Sequence, residues 1–127
     1  RPLLGKDDIL PETWALITEV NRFGAAQGGG ELATLWRHLA YWPGLLAVVH
    51  GHLAYPHRTG DLVHAVGVVH KLAQKAGARL AHLRQEPLVI PQPARQMVQD
   101  YVALPGAVTR MVTMGHALSN WLAPVPE

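Results

Sequence analysis

The chain has no cysteine among its 127 residues. That excludes disulfides, iron–sulfur clusters, zinc ribbons and thiol nucleophiles. Serine occurs once, at Ser119, three residues after His116 and outside any Gly-x-Ser-x-Gly elbow. Serine-nucleophile chemistry is therefore nearly closed off, and a hydroxyl bonded back to a helix carbonyl is the simpler reading. Charge is also scarce, at 16% of residues and a formal net of +2, with no basic run, which argues against a nucleic-acid partner. No apolar stretch approaches the roughly 18 residues of a membrane span, and no signal peptide is visible. The expected setting is the cytoplasm, without a membrane partner.

Apolar residues, by contrast, make up 49% of the chain. A chain of this length forms one ordinary domain, and this content exceeds what its core requires. The surplus points to a surface covered by a partner.

Six helical segments can be read between proline and glycine breaks, with no convincing strand. The first runs from about Pro11 to Phe23, with Trp14, Ile17, Val20 and Asn21 inward. It ends at a stretch from Gly24 to Gly30 that contains four glycines. The second, Glu31 to Ala40, places Leu32, Leu35, Trp36 and Leu39 on one face. Pro43 opens a third, which Tyr55-Pro56 is expected to end. Thr59 then caps a fourth, whose row Leu62, Val66, Val69, Ala73, Ala76, Leu80 and Leu83 should pack. Lys71, Lys75 and Arg79 lie on a neighbouring, wetted row. Gly67 and Gly77 suggest close approach of another helix. A proline-rich connection, Pro87 to Pro93, leads to a fifth helix with Met97, Val98, Tyr101 and Leu104 inward. The sixth runs to about Ala123, with Val108, Met111, Val112, Gly115, Leu118 and Leu122 along one side.

The motifs that usually carry chemistry are weak. Gly28-Gly29-Gly30 lacks both the Gly-Lys-Ser/Thr ending and the preceding strand of a phosphate loop, so a connector is the better reading. Eight histidines invite a metal, but His50 and His52 point about 200° apart on a helix. Solvated or core-satisfied imidazoles are the expectation, with no metal and no cofactor. The tryptophans read as core or interface anchors, and a pocket wall built from Trp36 or Trp42 is the sharper alternative.

One stretch carries a resemblance. Trp36-Arg37-His38-Leu39-Ala40-Tyr41-Trp42-Pro43-Gly44-Leu45-Leu46, preceded by a helix that begins Leu10-Pro11 and a glycine loop, resembles the repeat of the group I 2-haloacid dehalogenases, the halocarboxylic acid dehydrogenase DehI family. It covers about Leu10 to Ala123. It implies an all-helical fold, one copy of a repeat that pairs with a second copy, and an active site between the copies. Arg1 to Ile9 then reads as a linker or N-terminal extension to a domain spanning residues 10–127. The chain, which begins at Arg1 and not at methionine, is expected to be a piece of something longer or one half of a homodimer.

In that family an aspartate activates water for direct displacement of halide from a small 2-halocarboxylic acid, helped by an asparagine of the opposite repeat. Here Gln27 to Trp36 contains no aspartate. Glu31 is the only carboxylate there and becomes the stand-in base. Asn120 falls where the asparagine would lie, and Trp36 and Trp42 become the pocket walls. The alternative is a non-catalytic dimeric interaction or small-ligand-binding domain of the same fold.

Overall fold

A computed structural model of the chain describes residues 1–26, 31–83 and 85–124. Among these it is all-helical, with six α-helices and two single 3-10 turns. The helices are α1 (Pro11–Val20), α2 (Thr34–Leu39), α3 (Pro43–Thr59), α4 (Asp61–Arg79), α5 (Gln92–Ala103) and α6 (Ala107–Trp121). The 3-10 turns occupy Lys6–Asp8 and Ala81–Leu83.

Proline opens α1 and α3 at the first helical position, where its fixed φ suits the helix and its missing N–H is not needed. Pro56 does not end α3, which continues to Thr59. The Thr59 hydroxyl ties back to the Pro56 carbonyl at 3.1 Å, and the Gly60 N–H reaches the His57 carbonyl at 3.2 Å. These two bonds satisfy carbonyls of the last turn, while the missing Pro56 N–H removes a single bond, to the His52 carbonyl. A single residue then turns the corner, because Gly60 takes a left-handed φ of 86° and α4 begins at once. Gly60 occupies the capping position, while the Thr59 hydroxyl accepts the Asp61 N–H at 3.3 Å from one residue further back.

The core lies between α1, α2, α3, the first half of α4 and the middle of α6. Ile17, Val20, Phe23, Trp36, Leu46, Leu53 and Met114 form its centre. The expected inner face of α1 is seen, with Ile17, Val20 and Asn21 buried. Both early helices are shorter than their apolar pattern suggests. Phe23 sits in the turn after α1, and residues 31–33 precede α2 outside any helix, with Ala33 extended. Residues 1–9 lie against α2: Arg37 donates from Nη2 to the Leu4 carbonyl at 2.7 Å, Tyr41 donates to the Pro2 carbonyl, and Ile9 is buried.

The distal part is different. On α4, Leu62 and Val66 are buried, but every residue from Lys71 to Leu83 is exposed. The apolar row therefore packs for half its length, and Ala73, Ala76, Leu80 and Leu83 are exposed among the described residues. Helix α5 buries none of its residues, and Met97, Val98, Tyr101 and the following Leu104 are exposed rather than inward. On α6 the buried residues are Arg110 and Met114, while Val108, Val112 and Leu122 are exposed. A Cβ added at Gly67 or Gly77 would meet nothing within 4 Å, so no helix approaches either one. The periodicity on these helices is genuine, but among the described residues nothing covers it.

Candidate functional site

A groove of about 590 Å³ runs between the second half of α4, the end of α5 and the start of α6. From α4 come His70, Gln74 and the small residues Ala73 and Gly77; from α5, Tyr101; and from the first turn of α6, Ala107 to Thr109. Glu31 lies on its edge. The walls are mainly apolar with a few polar groups, the usual composition of a small-molecule site. The first turn of α6 lines the groove without a side-chain cap, and the first N–H groups of a helix, lacking intrahelical acceptors, carry a partial positive charge. His70 Nε2 is buried without a hydrogen-bond partner among the described residues.

The position of Glu31 is set by a buried polar network at the end of α1. Asn21 donates to the Glu31 carbonyl and accepts the Ala33 N–H, both at 3.0 Å. One side-chain amide thus clamps the strand of chain that leads into α2. Arg110 reaches across from α6 and donates to the Asn21 carbonyl at 3.2 Å. Burial holds the Arg110 guanidinium below arginine's usual range, because desolvation disfavours its charged form.

The preceding turn depends on Gly24. Its φ is 80°, and a Cβ there would stand 3.1 Å from a Val66 methyl. Its N–H donates to His57 Nδ1 at 3.1 Å, and the His57 ring stacks on Phe23 with centroids 4.8 Å apart. Gly28 to Gly30, read from the sequence as a connector, lie outside the described residues.

The four residues picked from the sequence are not brought together by one chain. Glu31 lines the groove. Trp36 does not: it is fully buried in the core, because its large apolar ring anchors α2 against α3. Its indole N–H is buried without a hydrogen-bond partner among the described residues. Trp42 is half-exposed at the start of α3, beside Tyr41 and the Arg1 guanidinium. Asn120 is exposed near the far end of α6, roughly 16 Å along the helix axis from the groove.

His50 and His52 point apart as their spacing implies, whereas His50 and His57, two turns apart on one face of α3, both lie against the Phe23 ring. His50 Nε2 stands 3.1 Å from Glu19 Oε1, close enough for an ion pair but poorly directed for a hydrogen bond. His52 lies against Trp121, and His57 serves Gly24. Among the described residues no three His, Cys, Asp or Glu side chains form a metal-holding group, and no helix is long and apolar enough to cross a membrane.

Sequence reasoning passed over His70, Gln74 and Thr109 as site residues. No motif marks them; they meet because α6 returns to pack on α4. Comparison with known proteins finds no family model, no curated protein and no solved structure that matches the chain.

Proposed function

We propose that this chain is one half of a two-fold unit, a small-ligand-binding helical module whose α4–α6 face is covered by a second copy of the fold. The ligand class is a small carboxylic acid. The groove supports it with apolar walls for the carbon chain, the uncapped start of α6 for a carboxylate, and His70 beside them.

The observation that carries the pairing is surface area. The chain exposes 9487 Å², against about 6,600 Å² for a compact folded monomer of its 13.8 kDa. The excess, about 2,900 Å², is more than enough to supply the roughly 1,000–2,500 Å² that each partner buries in an obligate homodimer. Much of the exposed apolar surface is on α4, α5 and α6, which directs the pairing there. Sedimentation equilibrium is expected to give twice the 13.8 kDa of the chain; a monomer at all concentrations refutes the pairing.

A hydrolytic reading is favoured by one further observation, the place of Glu31 on the groove edge. In it Glu31 takes a proton from water, the water oxygen bonds to the carbon that bears the halogen, and halide leaves with the bonding pair. The product is the 2-hydroxy acid. Asn120 then has to come from the other copy, since its own lies at the far end of α6. Halide release from 2-chloropropionate that is abolished by Glu31→Gln supports this reading. Binding of 2-chloropropionate without release leaves the module as a non-catalytic binder.

A further inference from the structure

We infer that His57 is an acid-sensitive latch on the buried turn at Gly24, closed while its imidazole is neutral and released when the ring takes up a second proton. The latch is independent of the pairing and of the ligand proposed above. It follows from where the backbone donors of this turn go. The Phe23 N–H bonds to the Val20 carbonyl at 3.1 Å, and the Ala25 N–H to the Arg22 carbonyl at 3.2 Å. Between them, the Gly24 N–H donates instead to His57 Nδ1 at 3.1 Å. Nδ1 accepts only while it carries no proton, so the neutral ring holds its hydrogen on Nε2. Protonation makes Nδ1 a donor facing a donor, and the two must part.

The turn has little to fall back on. Gly24 is buried, and a Cβ on it would lie within 3.6 Å of the Val66, Leu62 and Arg110 side chains. A buried N–H deprived of its acceptor is costly. The surrounding charges do not offset that loss. Glu19 of α1 stands 3.1 Å from His50 Nε2, two turns back along α3. Asp61, at the start of α4, takes the Thr59 hydroxyl at 2.8 Å. Arg110 of α6 brings a further cation to the turn, while Arg22 and Arg58 are exposed. Both imidazoles lie against the Phe23 ring, with centroids 5.2 Å away for His50 and 4.8 Å for His57. Acid strengthens the His50–Glu19 contact and breaks the His57–Gly24 bond, so one ring is flanked by responses of opposite sign. Imidazole is the side chain that ordinarily changes charge between about pH 5 and 8, which places the release there.

Hydrogen exchange at the Gly24 amide, corrected for the intrinsic effect of pH, tests this. From about pH 7.5 to about pH 5, protection at Gly24 should fall by roughly tenfold or more while the Ile17 and Leu53 amides keep theirs. His57→Asn keeps an acceptor oxygen near the place of Nδ1 and does not titrate, so its Gly24 protection should not change over this range. His57→Phe keeps the ring against Phe23 without an acceptor, and Gly24 should be unprotected at both ends. Should that variant fail to fold, the wild-type and His57→Asn chains decide. Constant protection in the wild type overturns the latch, as does an equal fall in His57→Asn. A fall shared by Ile17 and Leu53 overturns it as general unfolding. Loss of the effect in His50→Gln overturns it by assigning the response to the Glu19 pair.

Discussion

The two ends of this molecule use similar residues to opposite effect. In the first, α1, α2, α3 and the start of α4 fold around Trp36, Leu46 and Leu53, all fully buried. In the second, α4 beyond His70 and all of α5 carry leucine, valine, methionine and tyrosine in water. The lesson is that apolar periodicity states which face of a helix needs cover, and not whether the same chain supplies it. Helix α4 passes through both regimes, closed at Leu62 and Val66 and bare at Leu72 and Leu80.

Substitutions can break this contrast, beginning where it is strongest. Trp36→Ala should cost about 3–5 kcal/mol by urea denaturation, since it empties the centre of the closed end. A loss under 1 kcal/mol would show that the end is looser than described. Gly24→Ala should cost about 1–3 kcal/mol, combining a left-handed φ with a methyl forced against Val66. Asn21→Ala should cost about 1–3 kcal/mol by leaving the Ala33 N–H and the Glu31 carbonyl short of a partner, while the Arg110 bond to the backbone carbonyl of residue 21 survives. It should also weaken ligand binding at the groove by releasing Glu31, which calorimetry would detect. At the bare end, Val98→Asp should change the stability of the isolated chain by no more than about 0.5 kcal/mol, while abolishing the dimer in sedimentation. If Val98→Asp instead unfolds the chain, α5 is buried in its own fold and the contrast fails.

The helices were largely legible in the sequence, because proline and glycine breaks frame them and their apolar rows recur at helical spacing. The inner face of α1 and the burial of Trp36 follow from that pattern. Pro56 misled, since a proline near a helix end removes one intrahelical bond, and α3 runs on for three more residues to Thr59. The site was less legible. Glu31 was reached as the sole carboxylate between Gln27 and Trp36, but His70 and Thr109 belong to helices far apart in sequence. Nothing local marks their meeting.

By itself the sequence determined that the chain is helical, where most helices begin, and that it holds more apolar residues than one small core can bury. Spacing and composition settle those points because a helix is stabilised by local contacts and its face by period. Only the tertiary structure decided which rows close on each other, that Asn21 and Arg110 pin Glu31 to a groove, and that α5 stands uncovered. These depend on the return of α6 against α4, a long-range packing choice that no short stretch of residues encodes.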